Sequence, residues 1–533
     1  MNDRSGVVLA VSPGDRAAAV AIDGYLAGAA IDRAGGSGQP SNGAAAAALR
    51  AAGVTSEQVD VVSVVGSAAG PLPGVSNGID HVLRRVLNGA NRRHVTPVQA
   101  HLAQAAAVAP EGAVLLVANE TDPDQSVVAQ NCATRIIGIQ PRPDIGSAVA
   151  LAGRVAADIG VPATHLAMEL EVAAQTGSPG YLEDFTSILQ LRDGATHVDW
   201  ARYQAFMDRV AEGTPADLRR RDSLHNHVQR RRTDLAASLL DRLVEVLARV
   251  LEGLSEQSRA GAVALSGSLF TDAHFNGRLG AALNGALSIA PVPEGAGAVL
   301  GAALLAGGGV IEPITHLALG PTVTEHDIKP VLENCRLEYL YEPDWPRLMS
   351  RVSAMLSSGK LIAWFQGPLE FGPRSLGSRS ILCDPSNRYA RDNVNTFLLQ
   401  RPLDDPLGLS IPACRARECL VRDLDSPFML VGAEVQPQWR SRVVAALDRR
   451  HRCAVHTVRA AASPALHDLL ELHYARTGVP GLINVPLSTT PHTLVADARE
   501  AVRATFGSAI DVLVMGRFLI SKDYWLLRST AVV

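Results

Sequence analysis

The sequence predicts an α/β protein of two domains, and three observations carry that expectation. A chain of 533 residues exceeds the usual size of one domain. Apolar runs of strand length alternate with stretches of helical periodicity along nearly its whole length. The glycine run Gly307 to Gly309, followed by Pro313, breaks the composition and sets the division into residues 1–320 and 321–533. Apolar residues make up 47% of the chain and aromatic ones only 4%, so Ala and Val fill the buried runs, as suits closely packed helices on sheets.

The elements follow in order. Val7 to Val11 is apolar, Ser12-Pro13-Gly14-Asp15 closes it, and Ala17 to Ile22 resumes before Asp23-Gly24, the pattern of a β-hairpin with a further turn behind it. Residues 34–46 are rich in Gly, Ser and Ala and read as a mobile loop. Asp60 to Val65 reads as a buried strand. Pro97 to Val108 is an Ala-rich helix carrying His101, which is either an ordinary packed side chain or a contact to a substrate oxygen. Leu235, Leu239, Leu243, Leu247 and Leu251 recur every fourth residue within 215–260, which predicts a long amphipathic helix with a buried Leu/Val face; the alternative is a helix that binds a partner. Ala262 to Leu269 is a buried strand, and Asp272 behind it is a polar candidate or a helix N-cap. A helix over Trp345 to Ser357 and a strand over Leu361 to Gln366 then lead into the densest polar stretch of the chain.

That stretch, Trp364 to Asp384, reads WFQGPLEFGPRSLGSRSILCD. A strand ending near Gln366 and a tight turn through Gly367 lead into a loop in which Glu370, Arg374 and Arg379 converge on one ligand. Gly367, Gly372 and Gly377 permit positive φ or close approach of the backbone to that ligand. Two planar, permanently charged guanidinium groups suit a phosphate or carboxylate. The alternative is a structural Glu–Arg cluster that pins a domain junction.

EFGPRSLGSRSILCDP resembles the signature of the nodulation-type and tobramycin-type O-carbamoyltransferases, EFGPRALGNRSIL followed by an acidic residue and proline, from which Ser375 and Ser378 depart. Further likeness runs through Asn276-Gly277-Arg278-Leu279, residues 291–304, Leu319-Gly320-Pro321, Gly478-Val479-Pro480 leading to Asn484, and Asp511 to Lys522. The resemblance implies a bilobed N-terminal domain of the actin and hexokinase (ASKHA) type and a YrdC-like α/β C-terminal domain. It implies that the second domain makes carbamoyl-adenylate from ATP and carbamoyl phosphate, and that the first passes the carbamoyl group to a hydroxyl with the help of a metal. Carried onto this chain, it makes Glu370, Arg374, Arg379, Asp272 and His101 catalytic candidates, and Arg374, Arg379, Gly372, Asn484 and Arg401 the contacts to ATP and carbamoyl phosphate.

The family's metal ligands have no match here. Its HHxxHA motif aligns with Ala100-His101-Leu102-Ala103-Gln104-Ala105, its two aspartates fall at Ala118 or Asn119 and at Gly295, and Gly14 stands for a histidine beside a retained Asp15. Glu120 or Asp122 offers a replacement carboxylate only if the alignment slips. The expectation is therefore that no iron or zinc of the family kind is held. In the second domain Leu399 and Asp405 stand for a lysine and an arginine, with Arg401 near enough to compensate, and Pro486 stands for the hydroxyl of an Asn-Thr-Ser-Phe-Asn motif that keeps Asn484.

A balance of 49 basic and 53 acidic residues, formal charge -4, gives no electrostatic reason to expect nucleic acid or an anionic membrane. The six cysteines include no CxxC pair, and the nearest approach to a zinc set, Cys414, Cys419, His451, Cys453 and His456, is irregularly spaced. With no secretory start and no membrane-length apolar run, the expected setting is a reducing cytoplasm. Walker A, dinucleotide-binding and nucleophile-elbow patterns are missing. The expected function is a divergent carbamoyltransferase acting through an acyl-adenylate on a hydroxyl or amine of a small secondary metabolite. The alternatives are a metal-independent reaction on the same fold, and a non-catalytic scaffold for an intact paralogue. A homodimer or that paralogue is the protein partner left open.

Overall fold

A computed structural model describes residues 7–12, 17–22, 25–31, 44–65, 91–119, 122–132, 135–161, 166–212, 221–283, 286–306, 311–399, 407–490, 493–523 and 527. The chain divides into two compact units, one of residues 1–64, 69–93 and 314–533, the other of 65–68 and 94–313. Among the described residues no helix is long and apolar enough to cross a membrane.

The first sheet opens with the predicted hairpin. β1 (Val7–Ser12) and β2 (Ala17–Ile22) pair antiparallel, Val8 opposite Ala21 and Ala10 opposite Ala19. Their unbroken Val/Ala/Leu runs have no polar face to turn to water, so both sides are covered. β3 (Tyr25–Ile31) runs antiparallel to β2 and β4 (Val61–Val65), wholly buried, runs parallel to β1. With β5 (Asn91–Val95) the order is β3-β2-β1-β4-β5. Gly14 and Asp15, and residues 32–43 of the Gly/Ser/Ala-rich loop, lie outside the described residues, while Ala44–Ala51 is helical.

The second unit repeats the arrangement. β6 (Val114–Val117), β7 (Val127–Cys132) and β8 (Arg135–Pro141) form an antiparallel meander. β9 (Leu189–Arg192) and β10 (Ala195–Val198) make a separate ribbon. β11 (Ala262–Ser266) lies parallel to β6 and β12 (Ala286–Ile289) parallel to β11, so the order is β12-β11-β6-β7-β8. In each sheet a three-strand meander is extended, beside its first strand, by two later ones, and this duplication is the bilobed plan of the actin and hexokinase fold. The helix Arg221–Ser258 buries all five leucines of its periodic face against helices of its own unit, so that face is core and not a docking surface. Asp272 caps the helix Ala273–Ala282 by accepting from Phe275 N at 2.8 Å, as its position before that helix allowed.

Residues 314–533 build a nine-stranded mixed sheet. β13 (Ala318–Thr322) stands outside it and pairs with β16 (Pro368–Glu370). The large sheet takes β14 (Tyr339–Tyr341), β15 (Ile362–Phe365), β17 (Arg379–Cys383), β18 (Gly408–Pro412), β19 (Val431–Glu434), β20 (Arg452–Val458) and β21 (Leu482–Pro486). A short ribbon, β22 (Ser488–Thr490) with β23 (Thr493–Leu494), precedes β24 (Val512–Met515) and β25 (Phe518–Ser521), which complete it in the order β14-β25-β24-β15-β17-β21-β18-β20-β19. Both faces are covered. Ala363, Phe365, Leu409 and Val455 join one core cluster, while Ile362, Trp364 and Leu382 join another beneath the helices Trp345–Ser357 and Pro464–Thr477.

Helix Pro97–Ala106, with Thr96 accepting from Gln99 N, packs backbone to backbone on the helix Ala298–Ala306. A Cβ on Gly301 would stand 1.8 Å from the carbonyl oxygen of Ala100. Gly301→Ala is therefore expected to cost about 1–3 kcal/mol in chemical denaturation, since the helices must separate to admit a methyl group. Gly253→Ala, on an open helical position with nothing within 4 Å, should instead stabilise by about 0.4–1 kcal/mol.

Candidate functional site

The polar stretch is the connection between β15 and its antiparallel neighbour β17. Gln366 N donates to Ser378 O at 2.9 Å and closes the neck of the loop. Gly367, Gly372 and Gly377 take φ of 60°, 106° and 108°, the left-handed conformations that glycine alone adopts cheaply, and Trp364 Nε1 donates to Gly377 O. Glu370 is 4% exposed, and its Oε1 accepts from the backbone N–H groups of Leu376 (2.9 Å), Ser378 (2.6 Å) and Arg379 (3.1 Å). Its Oε2 is buried and has no hydrogen-bond partner among the described residues. Arg379 is fully buried. Its Nη1 donates to the carbonyls of Gln366, Gly367 and Ser378 at 3.0–3.1 Å, and its guanidinium lies 3.6 Å from the Phe365 ring centroid.

The three predicted side chains thus share one loop in different roles. Glu370 Oε1 and Arg379 Nη1 grip main-chain groups and brace it, where convergence on a ligand was expected. Arg374 and Gly372 are partly exposed on its outer turn.

Below the loop, β18 and β20 pair in parallel with Ser410 opposite His456. Ser410 Oγ lies 2.9 Å from His456 Nδ1 and accepts from Asn484 Nδ2 at 3.0 Å, while Asn484 Oδ1 accepts from Ser375 Oγ at 2.8 Å. All four residues are buried. Burial pushes the His456 ring down to about 3, so it is neutral near pH 7. The neutral ring carries one proton, on Nδ1 or on Nε2, and Ser410 Oγ pairs with Nδ1 in either tautomer. Asn484, expected at a nucleotide, is here the link between two serines. Glu370, Ser378, His456, Thr457, Arg459 and Ser463 are among the residues lining a cleft. Its interior offers about 30 Å³ to the centres of water-sized groups, room for roughly two or three of them. Arg459 pairs with Asp425 at 2.6 Å, and His316 at the opposite wall is held below the usual imidazole range by burial.

His101 and Asp272 belong to the other unit. His101 Nδ1 lies 3.1 Å from Ser266 Oγ, and Asp272 serves as the helix cap described above. The donor set at the family's metal position does not fit an ion. Ala100 has no donor, and Gln104 is buried with its Oε1 accepting from Val292 N at 2.6 Å. A Cβ on Gly297 would meet Gln104 Nε2 at 2.6 Å, so the facing helix fills the space there. Among the cysteine-rich candidates, strand alternation puts Cys453 and His456 on opposite faces of β20, and burial pushes the Cys419 and Cys453 thiols up, away from the thiolate a metal needs. Arg401, Asp405 and Glu120 lie outside the described residues.

Sequence reasoning missed the role of His456, Ser410 and Ser375. The available signal was a serine inside the apolar strand GLSIP, a His-Thr pair inside CAVHTV, and a serine where the family signature has alanine.

Protonation of His456 supplies a test. The unfolded ring charges below about pH 6.5, whereas the folded ring stays neutral until about pH 3. Unfolding therefore takes up a proton in that window, and the stability present above pH 6.5 is lost as pH falls. Relative to His456→Asn, the parent should lose about 1.4 kcal/mol more per pH unit between pH 6 and 4 in urea titrations. Parallel slopes would show that the ring titrates in the fold.

Residues 353–522, which contain this loop and most of the cleft, match the family model described as Carbamoyltransferase C-terminus. The nodulation protein NolO of Bradyrhizobium diazoefficiens is 26% identical over 362 residues, covering 66% of this chain and 64% of that protein. The 3'-hydroxymethylcephem-O-carbamoyltransferase of Amycolatopsis lactamdurans is 29% identical over 305 residues, covering 55% and 54%. The chain thus spans only about half to two thirds of the length of the curated relatives it matches. Full-length HypF in its phosphate- and nucleotide-bound form aligns with 57% of the chain at 13% identity and a TM-score of 0.36, too slight a likeness to bear on the fold, which rests on the sheet topology. Over residues 353–522, which hold the Glu370 loop, the chain is thus similar to the C-terminal domain of the carbamoyltransferase family.

Proposed function

We propose that the protein activates a carbamoyl group and transfers it to a hydroxyl or amine of a small secondary metabolite, with activation in residues 321–533 and acceptance in 1–320. The observation that carries the reading is the braced loop. Three glycines at positive φ, with Glu370 and Arg379 fixed on main-chain groups, hold a loop that carries the partly exposed Arg374 and lines, through Glu370, Leu376 and Ser378, a cleft with hydroxyls and a neutral histidine. A loop already fixed before the ligand arrives loses little freedom on binding.

ATP and carbamoyl phosphate are the co-substrates this reading implies, and their phosphates suit the bidentate fork of Arg374. Water cleaves carbamoyl phosphate to carbamate and phosphate, and the carbamate oxygen then attacks the α-phosphorus of ATP, expelling pyrophosphate and leaving the carbamoyl group as a mixed anhydride with the nucleoside monophosphate. Attack by the acceptor oxygen or nitrogen on the carbamoyl carbon then expels the monophosphate, and the acceptor proton passes to a base. His101, partly exposed and within reach of Ser266, is our candidate on the acceptor side. The surroundings of Gln104 favour, as a second reading, transfer to the acceptor without a family-type metal. The substrates are small molecules of the cytoplasm in either case.

Arg374→Lys is the discriminating variant, because it keeps the charge and loses the fork. Calorimetric titration with ATP and carbamoyl phosphate, beside thermal melts, should show binding weakened about ten-fold or more by both Arg374→Lys and Arg374→Ala, at unchanged melting temperature. Full-strength binding by the variants, or none by the parent, would overturn the reading and put the scaffold for an intact paralogue in its place.

A further inference from the structure

We propose that β8 is a docking edge for a second copy of this chain, the two β8 strands pairing antiparallel across a two-fold axis. The strand carries none of the candidate site residues, so the dimer stands or falls independently of the carbamoyl-transfer reading.

β8 ends the order β12-β11-β6-β7-β8, with β7 as its one strand neighbour, so the N–H and C=O groups on its outer side face no ladder partner among the described residues. Every position of the strand except Ile136 is exposed. Ile137 is 45% exposed and Ile139 49%, and of the large apolar side chains exposed among the described residues only these two stand within three positions of each other. Single exposed apolar residues need no explanation, whereas two on an open edge are apolar area that a paired strand would cover. Edge strands commonly carry charge that discourages pairing, and β8 has Arg135 alone. The equivalent third strand of the first sheet, β3, is packed against the helix Ala44–Ala51 and β13, so of the two equivalent strands β8 is the bare one.

Charge selects a second copy as the occupant. Exposed Arg135 stands at one end of the strand, while at the other end Pro141 pairs with Val127 of β7, and exposed Asp124 lies in the turn that leads into β7 there. Neither Arg135 nor Asp124 pairs with another side chain among the described residues. Antiparallel pairing about a two-fold axis brings each copy's Arg135 to the end of the other that carries Asp124, so opposite charges meet twice in one isologous contact. Arg142 at that end already spends two nitrogens on Asp144, which lowers the repulsion an incoming Arg135 would meet. The bulge at Gly138, which takes φ of 63°, and Pro141, which has no N–H, keep the ladder short. A seven-residue strand pair covers less area than a standard stable interface, so the product is a weak dimer, and because the two-fold contact uses both β8 edges it does not grow into a longer sheet.

Sedimentation velocity on the full chain, over about a hundred-fold range of concentration, tests this. The mass of the parent should rise from one copy toward two as concentration increases. A protein that stays at one copy throughout overturns the proposal, the case in which the edge serves some other partner included. Ile137→Lys together with Ile139→Lys, both at exposed positions, should weaken dimerisation by about ten-fold or more, since each copy then sets charge on the shared edge. A dimer of undiminished strength in that variant forms through another face and sinks the assignment. Arg135→Asp and Asp124→Arg should each weaken the dimer by about three- to ten-fold, and the two together should restore it, because opposite charges again meet across the axis. A double variant no stronger than either single one refutes the two-fold pairing. The mass of the parent is decisive without any variant, so a substitution that fails to fold does not shield the proposal.

Discussion

Three backbone N–H groups, from Leu376, Ser378 and Arg379, point at a single carboxyl oxygen, and the rest of the candidate site depends on that bond cluster. Successive N–H groups in a glycine-rich turn form a concavity that ordinarily receives an anion from solution. Here the concavity is filled by the loop's own Glu370. Were Glu370 lost, three donors would remain inside the protein with no acceptor, at about 1–3 kcal/mol each. Arg379 is the counterpart at the other end of the loop, a buried cation made tolerable by three carbonyls and the face of Phe365. Because the loop's own carboxylate fills that concavity, these three N–H groups are closed to an anion from solution.

In the second unit the same kind of argument runs from packing. The family places two metal-binding histidines on one helical face, and here the equivalent face carries Ala100 and Gln104. The neighbouring helix approaches so closely that only Gly297 and Gly301 fit opposite them. Gln104 then turns its carbonyl oxygen to Val292 N and stays buried. The facing segment leaves no room for a side chain at Gly297 or Gly301, so the missing ligands and the close packing occur together here. The substitution is therefore a coupled change of ligand and packing.

Much of the fold was legible because its signals are local. The Val/Ala hairpin, the four-residue leucine spacing of 235–251, the N-cap at Asp272 and the left-handed glycines at 367, 372 and 377 each follow from short-range pattern and elementary sterics. The site was legible only in part. Charge at Glu370 and Arg379 is visible in the sequence, whereas burial is not, and burial is what turns both into braces. The Ser375, Asn484, Ser410 and His456 chain could not be read ahead, because it forms only when strands distant in sequence become neighbours in the nine-stranded sheet.

That chain also gives the two departures from the family signature a physical consequence. At position 375 the family has alanine, and an alanine here would leave Asn484 Oδ1 buried without the donor that Ser375 Oγ supplies from 109 residues away. With Oδ1 held by Ser375, the amide nitrogen faces Ser410, Ser410 Oγ accepts from it, and the same oxygen pairs with His456 Nδ1. One added hydroxyl thus fixes which way the Asn484 amide faces, oxygen to Ser375 and nitrogen to Ser410. At position 378 the change runs the other way, from an amide to a shorter hydroxyl, at a residue whose N–H is the shortest of the three bonds on Glu370. Both departures fall on residues that line or support the cleft, one through its side-chain hydroxyl and one through its main-chain bond to Glu370.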